Sequence, residues 1–245
     1  MNFLRLDPNL AKPRWRYYPQ LGAKSRRWAS PALLLAATLL ALAPGPSAKA
    51  ESARVSVSAI PDDVWGYMQG RSWHAGRGCP ERDELALLRV PYLDFDGRTQ
   101  FGPMIVAKKV ASKVAAIFQD IYDRGVFRIY RIALVDDYGG DDDRAIAANI
   151  TSGFNCRATE GGGFSQHAAG LAIDINPVQN PYVAHGVTEP EAGKAYDTPE
   201  KRHAGRVGVI VKGDTVYRAF AKRGWSWGGE WAHSKDYQHF SANGH

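Results

Sequence analysis

The sequence predicts an α+β fold: a single compact domain with a small, largely antiparallel sheet flanked by helices. Two observations point there. From Met104 to Arg124, Ile105, Val106, Val110, Val114, Ile117, Phe118 and Ile121 recur at three- and four-residue steps, one apolar stripe of a helix. Elsewhere short apolar runs and helical segments follow one another without the βαβ alternation that builds a wide parallel sheet.

The elements follow in order. Residues 51–75 read as a polar, partly extended lead-in. Pro103 and Gly125 supply start and stop signals for the helix over 104–124. Phe127 to Val135, rich in β-branched and aromatic residues, reads as a strand. Asp136 to Arg144 is acidic and contains glycine; it lacks the spaced carboxylates and closing Glu of a calcium loop and reads as a solvated loop. Leu171 to Ile175 is a short buried strand, and Val207 to Val211 is another apolar run. Asp214 caps a helix running through Val216, Ala219 and Phe220 to Gly224. Trp225 to Phe240 reads as strand and loop.

The 245 residues carry a formal charge of +6, unevenly spread. Residues 1–50 hold eight of the 31 Lys and Arg but one of the 25 acids, leaving 23 bases against 24 acids in the rest. That body has no basic footprint for nucleic acid. Lys24-Ser25-Arg26-Arg27, the apolar run Pro31 to Ala43 and the exit Ala48-Lys49-Ala50 have the layout of a secretion signal over residues 1–50. The run falls short of the ~20 residues a spanning helix needs, so a cleaved leader is expected over a retained anchor. The expected organisation is a leader over 1–50, a lead-in over 51–78 and a main folded domain over 79–245, a monomer working outside the cytoplasm. In an oxidising compartment Cys79 and Cys156 are expected to pair, a metal or nucleophile role for either being the alternative.

The chemistry concentrates in Ser165-Gln166-His167-Ala168-Ala169-Gly170-Leu171-Ala172-Ile173-Asp174. A carboxylate inside an apolar strand needs a counter-charge or a metal. Extended, the seven steps from His167 to Asp174 would span ~23 Å. For both to hold one ion the chain must fold back near Ala169-Gly170, where glycine relaxes the backbone. A second segment, Trp227-Gly228-Gly229-Glu230-Trp231 and then Lys235-Asp236-Tyr237-Gln238-His239-Phe240, offers His239 as a third donor and Asp236 three residues before it. Two histidines and one carboxylate leave a tetrahedral zinc one replaceable position, with an unligated carboxylate free to act as base. His74, His185, His203, His233 and His245 read as surface or packing residues. Trp225, Trp227 and Trp231 serve either the core or a cleft wall.

S-x-H-x-x-G-x-A-x-D, followed late by G-G-[DE]-W and D-x-x-H, resembles the zinc D-alanyl-D-alanine carboxypeptidase (VanY-like) family, which includes L-alanyl-D-glutamate peptidoglycan endopeptidases. The strings Thr151 to Arg157 and Ile175 to Tyr182 resemble the endopeptidase branch, and the likeness covers roughly residues 79–240. The resemblance implies one zinc at the sheet, held by His167, Asp174 and His239. It implies Asp236 as the catalytic base, where many members have Glu, and Arg157 polarising the scissile carbonyl. Glu230 is the rival base. Ser165 is either a substrate contact or a turn residue, and Trp231 is a second candidate substrate contact. The implied substrate is a peptidoglycan stem peptide, cut internally or at its terminal D-alanine. The competing reading is a non-catalytic cell-wall-binding module that keeps a relic metal site.

Overall fold

A computed structural model describes residues 53–159 and 163–244; the expected leader, residues 1–50, lies outside the described residues. The architecture is α+β, with three small sheets of three strands each, every ladder antiparallel. The first sheet is β1 (Ser56–Ser58), β2 (Leu85–Leu93) and β3 (Thr99–Ala107), in the order β1-β2-β3. Helix α1 (Asp62–Met68) lies between β1 and β2 in the chain, so the stretch expected as a lead-in forms a strand and a helix. The β2–β3 hairpin turns at Asp94, whose Oδ1 accepts from the backbone N–H of Asp96 and Arg98.

Helix α2 (Lys108–Arg124) starts four residues later than its apolar stripe predicts and stops at Gly125, which is left-handed. Met104 to Ala107 lie instead in β3, opposite Leu85 to Leu88. The run Met-Ile-Val-Ala has no polar residue to separate a period of 2 from one of 3.6, so the sheet claims it. Pro103, taken for a helix start, sits in the ladder opposite Arg89.

The expected strand over Phe127–Val135 is also corrected. Its backbone bonds go to scattered partners: Ile129 N–H donates to Leu93 O, Tyr130 N–H to Asn176 Oδ1 and Ala133 N–H to Thr151 O. Only Ile132 forms a bridge, to Thr151. The acidic segment is partly helical: Val135–Tyr138 form a short 3₁₀ turn, while Gly139, Asp141, Asp143 and Arg144 are exposed as expected. Asp136 is buried and accepts from the Ser72 N–H, and α3 (Asp142–Ala147) follows, capped by Asp141.

The second sheet, ordered β4-β9-β7, contains β4 (Ala172–Asp174), β7 (Ser226–Trp227) and β9 (His239–Ser241). The third, ordered β6-β5-β8, contains β5 (Tyr182–Ala184), β6 (Val187–Glu189) and β8 (Lys235–Asp236). Helix α4 (Thr215–Ala221) begins where the sequence predicts, with Asp214 Oδ1 accepting from Tyr217 N–H at 2.8 Å.

One core joins the first sheet to the second. Val110, Val114, Ile117, Phe118 and Ile121 of α2 bury against Leu88, Val106, Phe220 and Phe240. Phe220 stacks on Phe240 at 4.0 Å between ring centroids. Burying each such side chain contributes roughly 1.5–3 kcal/mol, so β9, and His239 with it, rests on the most heavily packed part of the molecule. Cys79 and Cys156 form a disulfide. No helix among the described residues is long and apolar enough to cross a membrane.

Candidate metal centre

His167 and Asp174 meet because the chain folds back between them. Within residues 165–171, Ala168 N–H donates to Ser165 O, Gly170 N–H to His167 O and Leu171 N–H to Gln166 O. Gly170 takes φ +66°, and a Cβ there would lie 2.5 Å from the backbone nitrogen of Ala107, so only glycine closes this turn without strain. Ser165 is buried, and its Oγ accepts from His167 N–H at 3.2 Å, a bond that serves the turn.

The third donor arrives by register. β4 pairs antiparallel with β9 so that Asp174 stands directly opposite His239. All three side chains are buried. Asp174 Oδ2 lies 3.1 Å from His167 Nε2, Asp174 Oδ1 lies 3.1 Å from His239 Nδ1, and the two ring nitrogens are 3.3 Å apart. Bonds of about 2.0–2.1 Å in a tetrahedron put neighbouring ligand atoms about 3.3 Å apart. The two Asp174 contacts use different carboxylate oxygens; with one donor atom from each residue, the three lie within 4.8 Å of one another, a set that could hold a metal ion.

The protonation pattern agrees. His167 Nδ1–H donates to the Gly153 carbonyl at 2.6 Å, which leaves Nε2 as the lone-pair nitrogen facing the other donors. Two imidazole nitrogens and a carboxylate in mutual contact require a positive charge among them. Without a cation, a proton supplies it. Burial resists charging His167, but the Asp174 carboxylate outweighs burial and raises its pKa to about 9. Burial likewise acts to raise Asp174, and the paired imidazoles hold its carboxyl well below the usual carboxylate range.

Asp236 comes from a different sheet. β8 pairs with β5, Asp236 opposite Tyr182, and Tyr237 and Gln238 carry the chain across to β9. Among the described residues, buried Asp236 Oδ1 has no hydrogen-bond partner, nor has His239 Nε2. Burial pushes the Asp236 carboxyl up to about 6, with the charges of His239 and His167 opposing and that of Asp174 reinforcing. Gly228 explains part of the G-G-E-W string: a Cβ there would lie 2.6 Å from the Asp236 carbonyl oxygen.

The other expected residues sort as follows. Trp231 is half-buried, its ring centroid 5.5 Å from that of His239, whereas Trp225 and Trp227 belong to the core. Glu230 is exposed, bound by Lys212 at 2.7 Å and by the Tyr217 hydroxyl at 3.3 Å. Arg157 is half-buried and its charge is felt by His167. Its carboxylate partner, Asp142, was missed because it sits in a run of acids with no spacing to mark it.

Residues 158–242 match the family model described as D-alanyl-D-alanine carboxypeptidase. The match takes in His167, Asp174, Asp236 and His239 and begins one residue after Arg157. No curated protein and no solved structure gives a significant match. The match supports the resemblance read from the sequence: residues 158–242 are similar to the D-alanyl-D-alanine carboxypeptidase family.

Proposed function

We propose that the chain is an exported zinc metallopeptidase that hydrolyses an amide bond in peptidoglycan stem peptides. The observation that carries this reading is the buried cluster of His167, His239 and Asp174, whose donor atoms lie within 4.8 Å of one another and are the ligand types of a catalytic zinc. The buried Asp236 Oδ1, without a hydrogen-bond partner among the described residues, supports it, since a purely structural metal has no use for an unligated carboxylate nearby.

His167, Asp174 and His239 would hold the ion. Bound there, zinc supplies Lewis-acid activation of a water and of the substrate carbonyl. The chain's own groups then divide the work. Asp236 accepts the proton of the attacking water at its carboxylate and returns it to the leaving amine, for which a pKa near the working pH is favourable. Arg157 donates N–H bonds to the carbonyl oxygen as negative charge develops on it. Trp231, beside His239, flanks the substrate. Ser165 serves by fixing the turn that carries His167.

The flanking strings 151–157 and 175–182 favour an endopeptidase cut over release of terminal D-alanine. Domain limits of 1–50 for the leader and about 51 onward for the mature monomer belong to the same reading, with action outside the cytoplasm and no nucleic-acid partner. The test is incubation of the zinc-loaded protein with purified muropeptides and mass measurement of the products. Release of stem peptide from the sugar-linked alanine is expected. Loss of terminal D-alanine alone would make it a carboxypeptidase, and unchanged muropeptides would overturn the reading.

A further inference from the structure

Two arginines of this chain have contrasting environments. Arg202 is buried and engaged at both ends of its fork: Nη1 donates to Gln179 O and Tyr196 O, and Nη2 to Asn180 Oδ1 and Ile210 O. That is how an arginine holding structure together looks. Arg157 has a single acceptor among the described residues, Asp142 Oδ2, 2.6 Å from Nη2. Its Nε is buried with no partner. A guanidinium has five donors, and leaving a buried one unused costs about 1–3 kcal/mol.

The anchor is itself fixed. Asp142 begins α3, and its Oδ1 accepts from Asn155 Nδ2 at 3.3 Å. The backbone around Arg157 is tied to the turn that carries His167: Asn155 N–H donates to His167 O at 3.1 Å, and Ser165 N–H donates to Arg157 O at 3.3 Å. Cys156, between them, is buried and bonded to Cys79. The Asp142–Arg157 pair and the metal donors therefore share one frame.

We infer that Asp142 is a positioning residue for Arg157, anchoring one end of the guanidinium so that its spare N–H groups are held for the oxygen of the scissile carbonyl. The inference rests on the peptidase reading given above. Asp142 touches neither the metal donors nor, on this account, the substrate. Its charge is felt at His167, with the opposite sign to that of Arg157, but its ion pair is with Arg157.

The test compares Asp142→Asn, Arg157→Ala and the double variant, each zinc-loaded, on muropeptide. Asp142→Asn is expected to keep about one zinc per chain and a Tm within about 3 °C of the parent. Its kcat should fall roughly 10- to 100-fold with little change in KM, the scale on which small misplacement of a catalytic group acts. In the Arg157→Ala background the same substitution should cost nothing further. An equal loss in both backgrounds, or loss of zinc, would overturn the inference. A second readout needs no turnover. In a 15N spectrum, the Arg157 Nε–H signal, identified by its absence in Arg157→Ala, should lose order in Asp142→Asn, and an unchanged signal would also overturn it. If the parent protein cleaves no stem peptide, the peptidase reading fails and the spectrum alone decides whether Asp142 orders Arg157.

Discussion

At the scale of single residues, the proposed site divides into residues that would hold a metal and one that would move a proton. His167, Asp174 and His239 satisfy one another around a shared proton or a metal ion, whereas Asp236 keeps a buried oxygen without a partner among the described residues. Asp236→Ala should therefore retain the metal yet lower kcat by about 100- to 10,000-fold, the usual contribution of a general base. Metal analysis beside steady-state kinetics checks this. Retained turnover would move the base elsewhere, first to Glu230. The pH dependence follows from the same carboxyl. The active form is the carboxylate, so activity falls as pH drops through its pKa. Burial places that pKa at about 6, and a bound cation lowers it, so the acid limb of kcat/KM should fall at or below about pH 6. A limb centred well above 6 would point to another group. At this scale the sequence was informative, because the donors stand in two short strings with few competing candidates. Asp142 was not legible, since nothing in a run of acids says which one an arginine will choose.

At the scale of elements, two devices bring the donors together. A glycine turn reverses the chain between His167 and β4, and the register of β4 on β9 sets Asp174 against His239. Gly170→Ala must place a Cβ against the Ala107 backbone at positive φ. It should destabilise the chain by roughly 2 kcal/mol or more, read as a lowered denaturation midpoint. A variant as stable as the parent would show that the turn tolerates a side chain. The need for the reversal was legible, because an extended chain cannot bring the two side chains to one ion. The register was not, since the partner strand lies 65 residues away and no local signal encodes the pairing. The start of α2 was misplaced because Met104 to Ala107 suits either period. The β2–β3 hairpin went unread although Asp94-Phe95-Asp96-Gly97 is a recognisable turn signal between apolar runs.

At the scale of the whole molecule, the metal donors rest on a core that runs from α2 through the Phe220–Phe240 stack to β9, and the disulfide ties the Arg157 segment to the loop at Gly78. The bridge spans 77 residues of sequence. Reducing it should cost about 4 kcal/mol by loop entropy. For a domain of this size that lowers Tm by roughly 8–16 °C, measured by calorimetry with and without reductant; a shift under about 2 °C would contradict it. The α+β class and the antiparallel sheets follow from the absence of βαβ alternation, while the division into three small sheets depends on long-range pairing that composition does not encode. The most direct test of the central claim is anomalous diffraction from crystals of the zinc-loaded protein at the zinc absorption edge. The account predicts one strong peak bonded to His167 Nε2, His239 Nδ1 and an Asp174 oxygen, each at about 2.0–2.2 Å. A peak at other residues, or none, would contradict it.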